Sequence, residues 1–149
     1  MRENQISSAV EPDSQADPGQ PNSPHRILVV DDDSEVRQLN TQVLIHFGYH
    51  VDAAEDGAAA WEALQLESYD LIVTDNNMPK VTGLELLKKL RAARMALPVI
   101  MATGVLPQDE FTRYPWLQPA ATLIKPHTIA QLVDTVKQVL SATNNVPLD

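Results

Sequence analysis

At 149 residues the chain has room for one domain with a substantial core, not for two ordinary ones. Its formal net charge of −9 and pI near 4.7 argue against a nucleic-acid partner, which needs a basic stripe or patch. The lack of cysteine excludes disulfides, thiolate metal sites and cysteine nucleophiles. No run approaches the roughly 18 apolar residues of a membrane span and the first ten residues hold no signal-peptide core, so no membrane insertion and a cytoplasmic location are expected.

Residues 1–24 contain four prolines, four serines and three glutamines, with Ile6 and Val10 the only large aliphatics after the initiator Met. Such a segment buries too little surface to offset its ordering entropy and is expected to be a disordered tail. Its four acids and one Arg carry −3 of the total −9, so most of the acidity belongs to residues 25–149. From Arg26 a β-α alternation begins. Ile27-Leu28-Val29-Val30 reads as a buried strand ending in Asp31-Asp32-Asp33. Val36, Leu39, Val43, Leu44 and Phe47 then fall at helical spacing, predicting an amphipathic helix from about Ser34 to Phe47 that stops at Gly48. Tyr49 to Ala54 is a weakly marked strand, and Asp56 is a plausible N-cap for a helix carrying Trp61, Leu64 and Leu66.

Leu71-Ile72-Val73-Thr74 is the central strand, followed by Asp75-Asn76-Asn77-Met78-Pro79. Thr82 can cap a helix with Leu84, Leu87 and Leu90 on one face, running to about Arg94. Pro98 opens a fourth strand through Met101, followed by Ala102 and Thr103. Gln108-Asp109-Glu110 look like a helix start, but Pro115 and Pro119 limit any helix to a short, irregular piece. Ala121-Thr122-Leu123-Ile124 is a last strand, ending on Lys125-Pro126; an X-Pro bond there can fix the direction of Lys125 and can be cis. Thr128 caps the final helix, whose stripe is Ile129, Leu132, Val133, Val136, Val139 and Leu140, and the residues after Ser141 read as a tail. Non-alternating apolar strands interleaved with helices predict a doubly wound α/β fold, a five-stranded parallel sheet covered on both faces.

In such a sheet, ligands bind at the carboxyl ends of the strands. Asp31, Asp32 and Asp75 would meet there, and three like charges at close range are costly unless a cation joins them. Carboxylates without His or Cys suit Mg²⁺. Acids decorating a helix N-terminus would explain Asp33 and Glu35 but not Asp75, which lies on a different strand. Asp75 can then act as a nucleophile toward a phosphoryl group, whose equatorial oxygens would be neutralised by Mg²⁺, by Thr103 with a nearby backbone N–H, and by Lys125.

With Ile27-Leu28-Val29-Val30-Asp31-Asp32-Asp33, the Asp75-Asn76-Asn77-Met78-Pro79 run with Gly83, Thr103, and Lys125-Pro126 in this order, the chain resembles the receiver domain of bacterial two-component response regulators over about residues 25–141. The resemblance implies a (βα)5, flavodoxin-like fold with strand order 2-1-3-4-5, and Asp75 as phosphoacceptor. It further implies Mg²⁺ held by Asp32, Asp75 and the Asn77 backbone carbonyl, with Asp31 acting through water, and Thr103 and Lys125 on the phosphoryl group. A sensor histidine kinase or His-phosphotransfer protein would be the donor and a downstream protein the target. No enzyme activity is expected beyond self-catalysed transfer and slow autodephosphorylation, and the expected state is a monomer or weak dimer. A stand-alone receiver of this kind ends in protein contacts or in passing the phosphoryl group along a relay. Two departures stand out: Thr122 occupies the place of the family's usual aromatic switch, and Tyr114 and Trp116 lie in the proline-interrupted segment before the fifth strand. A phosphatase with an Asp nucleophile is a rival that leaves Asp75 idle; a flavin-binding flavodoxin-like protein is another, disfavoured because three aspartates would repel its phosphate. An unphosphorylated interaction module would not need the full set of site residues.

Overall fold

The structure, a computed structural model, describes residues 24–144. The described chain folds as β1 (Arg26–Val30), α1 (Ser34–His46), β2 (His50–Ala54), α2 (Gly57–Leu66), β3 (Leu71–Thr74), α3 (Gly83–Ala92), β4 (Val99–Thr103), α4 (Gln108–Arg113), a 3-10 turn (Pro115–Leu117), β5 (Ala121–Ile124) and α5 (Ile129–Asn144). The five strands form one sheet in the order β2-β1-β3-β4-β5, all pairs parallel. This is the fold and the strand order expected from the resemblance.

Local chemistry sets most boundaries. The Asp33 carboxylate accepts the N–H groups of Glu35 and Val36 at the start of α1, and Gly48 at φ 98° turns the chain out of it. Asp56 caps α2 through Ala59 N–H at 2.8 Å. Thr82 and Glu85 form a reciprocal capping box on α3, as Thr128 and Gln131 do on α5.

Alternate residues of the central strands feed two cores. Leu28, Val30, Ile72, Val99 and Met101 pack with α2, α3, Phe111 and Leu117, while Ile27, Val29, Leu71, Val73 and Ile100 pack with Leu44 of α1 and the α5 stripe. Several expectations need correction. Leu39, Phe47, Leu66 and Ile129, assigned to buried helical faces, are substantially exposed, because helical spacing defines a stripe but not how much of it a neighbour covers. Strand β5 alternates rather than running apolar throughout, since it is an edge strand with one partner. Helix α5 continues through Asn144, three residues past the expected end, and residues 145–149 and 1–23 of the two expected tails lie outside the described residues.

Helix α4 is a single short piece followed by the 3-10 turn, as the prolines require. Trp61 is half-buried against the core with Lys89 over its ring; Trp116 is 60% exposed, and Thr122 is exposed on the edge strand.

Candidate phosphoacceptor site

The carboxyl ends of β1, β3, β4 and β5 bring together Asp31, Asp75, Thr103 and Lys125, residues drawn from four separate segments. The Lys125 ammonium bridges Asp31 Oδ2 at 2.7 Å and Asp75 Oδ2 at 3.0 Å. Both carboxylates are buried, and Asp32 beside them is exposed. One carboxylate oxygen each from Asp31, Asp32 and Asp75 lies within 4.8 Å of the others. Two of the three carboxylates share one ammonium, so the set retains excess negative charge and can hold a cation.

Asp75 is fixed from every side. Its Oδ1 accepts the backbone N–H of Asn76 at 2.6 Å and of Asn77 at 3.2 Å, while the Thr74 hydroxyl donates to its carbonyl at 2.8 Å. Burial pushes its carboxyl pKa up, but the Thr103 hydroxyl beside it, the hydrogen bond and charge of the Lys125 ammonium, and the Asn77 N–H outweigh burial and hold it below the ordinary value of 3.8. Burial pulls Lys125 down, and Asp31 and Asp75 more than offset that, keeping it above 10.5. Both groups are therefore charged at neutral pH. The Lys125-Pro126 bond is cis.

The loop after Asp75 is tightly closed. The Asn76 carbonyl accepts Gly83 N–H at 3.0 Å, and its side-chain oxygen accepts Leu84 N–H at 2.8 Å, so Asn76 supplies a second cap to α3. A Cβ at Gly83 would collide with the Asp75 carbonyl and lie 2.9 Å from Asn76 Cα, which is why glycine is needed there.

Of the six predicted site residues, Asp31, Asp32, Asp75 and Lys125 meet at this lip through their side chains, Thr103 ends β4 beside them, and Asn77 reaches it through its backbone N–H on Asp75, not through the expected carbonyl. Sequence reading missed Arg37, whose guanidinium donates to the Asp31 carbonyl at 2.7 Å and so holds the acidic turn. The available signal was a base in the opening turns of α1, where the helix dipole favours acids. The roles of Thr74 and Asn76 had no signal beyond their adjacency to Asp75.

Comparison with known proteins agrees with the fold. The model of the response regulator receiver domain matches residues 27–137. The chain belongs to that family. The response regulator receiver protein CpdR of Brucella abortus is 32% identical over 122 residues, covering 78% of this chain and 98% of CpdR. The chemotaxis protein CheY of Pseudomonas aeruginosa is 32% identical over 122 residues, covering 80% and 98%. Among solved structures, the response regulator TrrA of Thermotoga maritima in complex with Mg²⁺-BeF superposes with a TM-score of 0.67 at 29% identity, covering 77% of this chain and 98% of TrrA. The protein is thus a receiver domain of two-component signalling. Among the described residues, no helix is long and apolar enough to cross a membrane.

Proposed function

We propose that Asp75 accepts a phosphoryl group from the phosphohistidine of a sensor histidine kinase or a His-phosphotransfer protein, and that the phosphorylated domain signals through protein–protein contacts. The observation that carries this reading is that the Lys125 ammonium bonds both Asp75 and Asp31, while Asp31, Asp32 and Asp75 form one carboxylate cluster. An Asp75 oxygen forms a bond to phosphorus as the P–N bond to the donor imidazole breaks, and the bonding pair leaves with the imidazole nitrogen. The carboxyl's depressed pKa keeps it ionised, so the attack needs no general base.

Lys125 supplies positive charge and the Thr103 hydroxyl a hydrogen bond to the transferred group's oxygens. The all-oxygen donor set of Asp31, Asp32, Asp75 and the Asn77 carbonyl fits Mg²⁺, and the Mg²⁺-BeF complex of TrrA supports the same assignment. Bound there, Mg²⁺ neutralises charge on the carboxylates and on the phosphoryl oxygens. Incubation with acetyl phosphate and Mg²⁺ followed by intact mass should give one phosphoryl adduct in the wild type and none in Asp75→Asn. An adduct that survives that substitution overturns the assignment.

A further inference from the structure

The loop 76–82 that carries Asn77 is pinned at its far side by a segment with no part in the site. At Gly57, the first residue of α2, a Cβ would run into the Val81 carbonyl and side chain, so α2 begins in direct contact with the loop. Next to it, Asp56 is a buried carboxylate. Its Oδ1 caps α2 through Ala59 N–H, and its Oδ2 faces Lys80 Nζ at 3.6 Å. Lys80 in turn holds φ 70°, a left-handed conformation that glycine adopts freely and a lysine does not. A lysine where glycine would be easier points to use of its side chain; that side chain is 69% exposed, and the group within its reach is the buried Asp56, whose carboxylate is otherwise held by the Ala59 N–H at the start of α2.

We infer that the Asp56–Lys80 pair is a brace that positions the loop bearing the Asn77 carbonyl, making Lys80 and Asp56 positioning residues for the cation site. The inference rests on the proposed role of Asp31, Asp32, Asp75 and Asn77 as Mg²⁺ ligands. The loop is closed at one end by Gly83 and Asn76 and at the other by Val81 and Lys80 against the start of α2. Releasing Lys80 leaves Val81 as the only hold at the second anchor and Asp56 buried without its cation. The Asn77 carbonyl then spends less time in the ligating position, and cation affinity falls.

Simple electrostatics gives the opposite sign. Lys80 is a cation on a loop beside an acidic cluster, so removing it without any brace should tighten Mg²⁺ binding, if it does anything. Backbone relief also runs the other way, because Lys80→Gly removes the left-handed cost. The variant therefore separates the brace from both.

Mg²⁺ is titrated into wild type, Lys80→Gly, Lys80→Met and Lys80→Arg without any phosphodonor, and binding is followed through the backbone amide NMR signals of residues 75–78 and 80–83. The expected result is a dissociation constant raised about three- to tenfold in Lys80→Gly and Lys80→Met, at or below the roughly tenfold lower end of what loss of outer-shell support costs a metal site, with Lys80→Arg close to wild type. An unchanged or tighter constant in Lys80→Gly overturns the brace. If wild type itself shows no Mg²⁺ response at these amides, it is the cation-site reading that fails. Thermal melts of each variant guard against a global fold defect: weakened binding that tracks lost melting temperature equally in Lys80→Arg also counts against the brace.

Discussion

The two ends of the sheet each gather three carboxylates near one basic side chain, yet the two clusters are built differently. At the amino ends of the strands, Arg26 pairs with Asp52 at 3.2 Å and Glu67 at 3.3 Å, and its backbone N–H donates to Asp70 at 2.7 Å. Tyr69 adds a hydroxyl to Asp52 at 2.6 Å and a ring under the guanidinium. Each acid there has its own donor, and the Asp52 and Glu67 side chains are 42% and 51% exposed. At the carboxyl ends, Asp31 and Asp75 are only 4% and 10% exposed and share a single ammonium. The number of acids is the same; at the carboxyl ends, burial and the sharing of one counter-charge leave negative charge without a donor of its own. The amino end distributes its donors and is a staple.

The largest effect that would separate the two ends is loss of the central cation. Lys125→Met leaves two buried carboxylates facing each other and should lower unfolding free energy by about 2 kcal/mol, below the range for fully buried pairs because the lysine is partly solvated. Arg26→Met should cost about 1 kcal/mol, as partly exposed pairs do. Urea melts with and without Mg²⁺ check the comparison: the metal should recover much of the loss in Lys125→Met and none in Arg26→Met, and equal rescue of both would erase the distinction.

Gly83→Ala tests how rigidly the lip is built. Its Cβ meets backbone rather than a movable side chain, so a loss of about 2 kcal/mol is expected, together with loss of acetyl phosphate labelling. A variant of wild-type melting temperature that is labelled normally would mean that the loop has room to relax.

pH sharpens the contrast further. Because the folded pKa of Asp75 is depressed, its contribution to stability is present above the unfolded value near 3.8 and lost as pH falls through the lower folded value. Asp75→Asn should flatten that acid limb in pH-dependent melts. Lys125 and Tyr69 are raised, so their contributions hold below about 10 and fade as pH rises, Tyr69 through about 12. Tyr69→Phe removes one hydrogen bond to a carboxylate and should cost about 1 kcal/mol with no change in the Mg²⁺ response. An altered response would show the two ends to be coupled. The smallest effect belongs to Asp32→Asn. Removing one exposed like charge should raise metal-free stability by less than about 1 kcal/mol while abolishing stabilisation by Mg²⁺, and a variant that still responds fully to the metal removes Asp32 from the ligand set.

Much of this architecture was readable without coordinates because its causes are local. A strand of four or five apolar residues, a Thr three places before a Glu or Gln, and a Gly after the last helical apolar residue act within one or two turns. They located the elements and the caps at Asp56, Thr82 and Thr128. They also placed Asp31, Asp75, Thr103 and Lys125 at strand ends, and a parallel sheet puts all strand ends on one side. Helix faces were less legible. Leu39, Leu66 and Ile129 keep the spacing of buried residues and face solvent, since burial depends on which neighbour covers the stripe. Arg37, Lys80 and the Asp56 ion pair were invisible for a similar reason, their partners being set by how a turn or a loop lies.

What the sequence by itself determined was therefore the order of elements and which residues stand at the strand ends, properties fixed by spacing along the chain. Only the tertiary structure decided that the ammonium of Lys125 sits between Asp31 and Asp75, 94 and 50 residues away, and that the acids at the other end are each matched by a donor of their own. Distances between such remote groups follow from sheet register and from packing of helices on both faces, and no local rule carries that information.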